Sequence, residues 1–283
     1  MVDFENKPNY DIHDLQKLMR FLRSPDGCPW DAEQTHESIR RNLLEEAYEA
    51  AEAIDTGNQN NLREELGDVL LQVVFHADIS EQAGGFDFSQ IVDALCKKLI
   101  SRHPHVFGDE KANDSTESLA FWEDIKREEK QTETVHEEMR SIAISLPALW
   151  RAEKIQKKAA EVGFDWKDYK GALTALRSEI DELEDAMEDA TASISDTAEE
   201  NETDKTNDAF SKVTMELGDI FFSAVNISRF FGIDPEEALT FSSEKFIERF
   251  RKVETAALDA GFRLEEMSLD EMEALYQKAK LEE

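Results

Sequence analysis

The eleven residues "EELGDVLLQVV" (64–74) return as "MELGDIFFSAV" (215–225). Three more pairs of segments flank them in the same order. "NLLEEAYEA" (42–50) corresponds to "LRSEIDELE" (176–184) with Glu46 matched to Glu179, "KLISR" (98–102) to "KFIER" (245–249), and "FWEDIK" (121–126) to "LYQKAK" (275–280). Whatever fold one half adopts, the other must be able to adopt, so the chain reads as a duplicated domain. Its 283 residues are enough for two domains of ordinary size, each with a core of its own.

The unit that is duplicated is helical. Leu15, Leu18 and Leu22, then Ile39, Leu43, Ala47, Ala50 and Ile54, then Leu62, Leu66, Val69 and Val73 recur at three- and four-residue steps. Strand-like alternation is nowhere sustained, and 11 Gly with 6 Pro are few for a sandwich or barrel. The pattern predicts an all-α chain with helices over 11–23, 36–55, 61–83, 88–102 and 116–130 in the first half. In the second half it predicts 148–161, 169–190, 209–231, 235–260 and 268–281. The expected organisation is an N-terminal domain over 1–130, a connection over 131–145 and a C-terminal domain over 146–283. Residues 189–209, "DATASISDTAEENETDKTNDA", carry almost nothing apolar and are expected to form an acidic loop inserted between two helices of the second copy.

Sixty-four acidic against 32 basic residues give a net charge of -32, which repels nucleic acid and anionic membrane and attracts cations. Most of these carboxylates make a solvated surface. Cys28 and Cys96 form no CxxC pattern and suit a reducing compartment. The opening "MVDFENKPNYDIHDL" has no signal-peptide pattern, and no apolar run approaches a membrane span, so the expectation is a cytoplasmic protein.

Positions three or four apart share a helix face. Glu46 with Glu49 and Glu65 with Asp68 are therefore neighbours, as are Glu179 with Glu182 and Glu216 with Asp219. Four converging carboxylates repel one another and raise each other's pKa values unless a cation neutralises them. An all-oxygen set suits Mg²⁺ or Mn²⁺. An isolated ExxE or ExxD pair in so acidic a chain is ordinary surface; its repetition is what carries weight. Gly67 and Gly218 inside these helices cost about 1 kcal/mol relative to alanine, and their expected use is close approach of another helix or a ligand. Lys98 with Arg102, and Lys245 with Arg249, could hold phosphate oxygens. Trp122 with Lys126, and Tyr276 with Lys280, could stack on a base and touch a phosphate, although an aromatic on a helix is more often core. His103 and His105 lack a third ligand nearby, and no Walker, GxGxxG, GxSxG or HExxH motif is present.

"EEAYE" (45–49), "EELGD" (64–68), "KLISRHPHVFG" (98–108), "GCPWD" (27–31) and their echoes resemble the MazG family of nucleoside triphosphate pyrophosphohydrolases from about Leu15 to Lys280. The resemblance implies two tandem MazG-like helical-bundle domains, a homodimer, and Mg²⁺-dependent cleavage of an NTP into NMP and pyrophosphate. It implies metal ligands at Glu46, Glu49, Glu65 and Asp68, and catalytic metal ligands at Glu179, Glu182, Glu216 and Asp219. Such two-repeat proteins are credited with activity in the C-terminal copy, where Ser178 stands in place of Glu45. Two other readings stay open: a related hydrolase restricted to one nucleotide such as dUTP, and a non-enzymatic acidic protein that binds cations.

Overall fold

The computed structural model describes residues 7–130, 132, 134–196 and 203–282. Its regular structure is helical, with no strand among the described residues. The chain divides into two compact units, Met1–Lys130 and Gln131–Glu283.

The first unit contains α1 (Ile12–Leu22), α2 (Pro29–Glu33), α3 (Arg40–Asp55), α4 (Gln59–Gln82), α5 (Phe88–Ser101), α6 (Pro104–Phe107) and α7 (Ser115–Lys130). Asp11 starts α1 by accepting from the backbone of His13 and Asp14, and Asp87 starts α5 with a reciprocal Gln90 contact. α3 and α4 form a paired hairpin with α1 laid against α4. Met19, Ile39, Val74, Phe75 and Ile79 make the core, with Leu15, Leu71 and Phe88 packed on it. One polar element is built into this core. Arg23, at the end of α1, donates through Nε to Asp78 of α4 at 2.9 Å while both side chains are buried. Burial pushes the Asp78 carboxyl above its usual range despite the opposing pull of Arg23.

The second unit contains α8 (Val135–Arg140), α9 (Ala148–Glu161), α10 (Tyr169–Asp196), α11 (Thr203–Phe230), α12 (Pro235–Asp259) and α13 (Leu269–Leu281). α10 and α11 form the long hairpin, with α9 against α11 and α12. Its buried apolar positions are mostly small, Ala172, Ala186, Ala190, Ala257 and Ala279 with Val225 and Val253, which lets helices approach closely. Trp150 Nε1 donates to Asp234, the residue that caps α12, and so ties α9 to the start of that helix.

The long helices lie where apolar periodicity places them. α2, α6 and α8 do not follow from that periodicity, because one or two turns hold too few residues to show a period. α8 falls inside the expected connection and packs on α9, where Lys158 pairs with Glu138 at 3.3 Å. The acidic loop needs correction. α10 continues to Asp196 and α11 begins at Thr203, so most of 189–209 is helical; residues 197–202 lie outside the described residues. No Pro or Gly occurs between Ala172 and Leu217, and a polar stretch without helix breakers extends a helix whose partner runs beside it. Lys212 pairs with Asp189 across the two at 3.2 Å.

Candidate metal centre

Each hairpin brings its acids together by the same construction. Glu46 and Glu49 lie one turn apart on α3, and α4 presents Glu65 to them. One carboxylate oxygen from each of Glu46, Glu49 and Glu65 lies within 4.8 Å of the others. α10 and α11 repeat this with Glu179, Glu182 and Glu216, also within 4.8 Å of one another. Asp68 and Asp219 stand outside these triplets, yet close enough for their charges to act on Glu46 and Glu179. Asp68 is half-buried and Asp219 exposed.

The electrostatics agree with the geometry. Partial burial and then the charges of Asp68, Glu49 and Glu45 raise the pKa of Glu46. Glu65 is raised by desolvation and by Glu49, Asp68 and Glu46. Glu179 is raised by desolvation and by Glu182, Asp219 and Glu216. Carboxylates gathered at this separation store repulsion that a hard dication would relieve. The donor set therefore fits Mg²⁺ or Mn²⁺.

Gly67 and Gly218 behave differently from one half of their expectation. A Cβ at either would meet nothing within 4 Å, so no helix among the described residues uses the space beside them. What remains beside the acids is open room. Ser178, which stands in place of Glu45, donates to Glu182 Oε1 at 3.3 Å. The second cluster thus has a neutral hydrogen-bond donor where the first has a further negative charge.

The basic and aromatic residues form a separate pattern in each unit. Arg102, which caps α5, lies 5.1 Å over the ring of Trp122 on α7 and donates through Nε to Glu129 at 2.9 Å. His103 meets the same ring edge-on. Lys98 is exposed one turn away, where its charge acts on Glu129. In the second unit Arg249 of α12 lies 5.9 Å over the ring of Tyr276 on α13, which also meets Phe246. Lys245 stands 5.6 Å over Phe241. Lys126 and Lys280 are exposed. The repeat of arginine on aromatic is therefore an inter-helix contact in both halves. Spacing could suggest the aromatic and the lysine; it could not reveal that the ring is already faced by an arginine, nor that Glu129 holds Arg102.

Comparison with known proteins places these clusters in a family context. The model of the MazG nucleotide pyrophosphohydrolase domain matches residues 34–107 and 168–254, more than half of the chain and both carboxylate sets. A Thermotoga maritima protein named nucleoside triphosphate pyrophosphohydrolase/pyrophosphatase MazG is 42% identical over 269 residues, covering 95% of each chain. An Escherichia coli K12 nucleoside triphosphate pyrophosphohydrolase is 42% identical over 273 residues, covering 96% of this chain and 98% of its own. A Mycolicibacterium smegmatis protein of the same name is 39% identical over 201 residues, 70% of this chain and 61% of its own.

Proposed function

The chain belongs to the MazG nucleotide pyrophosphohydrolase family, and from that premise we propose that it hydrolyses nucleoside triphosphates to NMP and pyrophosphate with a divalent cation, Mg²⁺ or Mn²⁺. The observation that carries the reading is the pair of carboxylate triplets, each gathered within 4.8 Å and each containing a glutamate held above its usual pKa by burial and by its neighbours. In the second repeat Glu179, Glu182, Glu216 and Asp219 hold the cation, and Glu46, Glu49, Glu65 and Asp68 do so in the first. When bound, the cation supplies charge neutralisation at the triphosphate and polarisation of the α-phosphorus.

The chain's own groups do the rest. A carboxylate oxygen not committed to the metal accepts the proton of the attacking water. The new bond runs from water oxygen to the α-phosphorus, and the bond to the α–β bridging oxygen breaks, leaving NMP and pyrophosphate. Lys245 and Arg249 take the pyrophosphate charge, with Tyr276 positioning Arg249 and Lys280 exposed on the same helix; Lys98, Arg102, Trp122 and Lys126 are their first-repeat counterparts. The open space beside Gly218 gives the triphosphate room at the acids.

The protein acts in this reading as a cytoplasmic homodimer that binds neither nucleic acid nor membrane. No helix among the described residues is long and apolar enough to cross a membrane. Leu217 and Phe221 of α11 and Leu66 and Leu70 of α4 are large and exposed, which favours burial against a second copy. The deciding experiment is incubation with ATP, dATP, GTP and dUTP plus Mg²⁺, measuring pyrophosphate against orthophosphate. Pyrophosphate from several nucleotides, lost in EDTA, is the expected result. Cleavage of dUTP alone would select the restricted hydrolase, and cation binding without turnover the non-enzymatic reading.

A further inference from the structure

Two histidines of the first unit meet across its fold. His36 stands in the turn between α2 and α3, and His76 lies on α4. Their Nδ1 atoms are 2.8 Å apart, while the ring centres are 5.1 Å apart with planes 12° from parallel. Those two separations differ by just the radii of the two five-membered rings, so both nitrogens lie on the line that joins the ring centres. The rings therefore meet edge to edge, in the geometry of one straight N–H···N bond. A zinc ion does not fit between them, because two nitrogens about 2.0–2.1 Å from a tetrahedral metal stand farther apart than this.

Burial decides which ring supplies the shared hydrogen. His76 Nε2 is buried and has no hydrogen-bond partner, whereas His36 is exposed. A buried N–H left without an acceptor is rarer in folded proteins than a buried acceptor left without a donor. His76 accordingly carries its hydrogen on Nδ1 and donates it to Nδ1 of His36, whose own hydrogen sits on Nε2.

A further proton has no comfortable place in that arrangement. On His76 Nε2 it would make a charge shut away from water, and on His36 Nδ1 it would set one donor against another. Burial, and then the charge of His36, hold the pKa of His76 below the ordinary 6.5. The charged groups of the helices packed on α4 are engaged elsewhere. On α1, Asp14 holds Lys7, Arg20 pairs with Glu81 of α4 and Arg23 with Asp78; on α5, Lys97 pairs with Asp93. Asp31 and Glu33 of α2 and Arg40 and Arg41 of α3 flank the turn. Glu37, beside His36, is held below its usual range by its own backbone N–H and by Thr35, with His36 contributing less. Among the described residues, the charge that acts on His76 is that of His36.

The turn that carries His36 is braced within itself. Thr35 N donates to Ser38 Oγ at 2.9 Å, Ser38 N to Thr35 Oγ1 at 3.3 Å, and Ser38 Oγ to Gln34 Oε1 at 2.7 Å. It is tied to α4 by the histidine bond, to α1 by Arg23 Nη1 donating to the Gln34 carbonyl at 3.3 Å, and to the core by Ile39. Releasing one of these ties lets the turn move as a piece.

We propose that His36 and His76 form a proton-operated latch in the first repeat: closed while both rings are neutral, it opens when His36 takes a proton on Nδ1 and turns to solvent, freeing residues 34–38 and loosening the first turn of α3. The latch goes beyond the pyrophosphohydrolase reading and does not depend on it. The second repeat has no counterpart. The offset that matches 64–74 to 215–225 puts Ile227 at the place of His76, and isoleucine does not titrate. Glu46 lies about two turns into α3. Acid therefore loosens the helix that carries one side of the first carboxylate triplet and leaves the second hairpin as it was.

The test is hydrogen–deuterium exchange of the full chain at pH 7.5 and 5.5, read by mass spectrometry and corrected for the intrinsic pH dependence of exchange, on wild type and His36→Gln. A released imidazole takes its proton at about 6.5, so opening linked to one proton should lower the protection of peptides covering 34–41 about tenfold between these pH values. His36→Gln can still accept from His76 Nδ1 but takes up no proton, and its protection over 34–41 should be the same at both. Peptides around Ile227 should be unchanged in either form. Protection over 34–41 that holds or rises in acid in the wild type, or a tenfold loss that persists in His36→Gln, would overturn the latch. Ring-nitrogen NMR of wild type carrying ¹⁵N-histidine needs no variant. At pH 7.5 it should show two neutral rings joined by a coupling between their Nδ1 nuclei, one protonated on Nδ1 and the other on Nε2; a charged ring in the pair, or no such coupling, would overturn it as well.

Discussion

Replacing Glu179 by Gln should stabilise the metal-free protein while disabling it. At neutral pH the Glu179 carboxylate faces those of Glu182 and Glu216 within 4.8 Å. Two like charges at that distance repel by about 1 kcal/mol in a water-like dielectric and several times more in a protein-like one. Glu182 is exposed, so the water-like figure applies, and removing the charge should release roughly 1–2 kcal/mol. For a chain of this size that is a rise of a few degrees in Tm. The sign with pH follows from the direction of the shift. Burial and the neighbouring charges raise the folded pKa of Glu179 above the ordinary 4.5, so its contribution is intact below 4.5 and is lost as pH rises through the folded value. The advantage of Glu179→Gln should therefore be absent in acid and full above that folded value. Saturating Mg²⁺ should reverse the order, because the cation stabilises the wild type and finds one charge fewer in the variant. The assay is thermal unfolding in EDTA and in Mg²⁺ across pH 4 to 8, beside pyrophosphate release. A variant that melts below wild type in EDTA, or gains as much from Mg²⁺, would refute the electrostatic account of the cluster.

Arg23→Met should cost about 3–5 kcal/mol in urea unfolding, because it leaves the buried Asp78 without its main partner; since burial holds the folded Asp78 carboxyl above the ordinary 3.8 and loss of Arg23 raises it further, the deficit should shrink as pH falls through that raised range, before 3.8 is reached. An unchanged midpoint would show that the pair is not a unit of the core. Among single mutants of native helicity, Glu179→Ala and Asp219→Ala should abolish most pyrophosphate release and Glu46→Ala and Asp68→Ala reduce it less; the opposite order would place the chemistry in the first repeat. Light scattering at micromolar concentration should give a mass of about 65 kDa, twice the 32.3 kDa chain, and a monomer mass would rule out the α4 and α11 faces as an interface.

The sequence by itself determined what is local or periodic. Helical spacing of Leu62, Leu66, Val69 and Val73 announces α4 without any knowledge of its neighbours, and the duplication makes α11 its copy. The three-residue spacing of Glu46 and Glu49 puts them on one face of any helix, so the carboxylate pairs were legible as well. Tertiary structure decided everything that depends on what lies across from a helix. It set Glu65 and Glu216 inside the triplets with Asp68 and Asp219 beside them, because the hairpin crossing fixes which turn of α4 or α11 is nearest. It extended α10 and α11 through a polar stretch that composition alone assigns to a loop, since a helix without breakers needs only a partner to continue. It also made two equivalent positions opposite in character. Asp78 and Arg229 occupy the same register; one is closed over by Arg23 and Phe75, while the other is clamped by Asp165 at the edge of a cavity. No periodicity encodes that difference, because whether a space is filled depends on side chains far away in sequence: Arg23 at the end of α1, 55 residues from Asp78, and Asp165 in the turn after α9, 64 residues from Arg229.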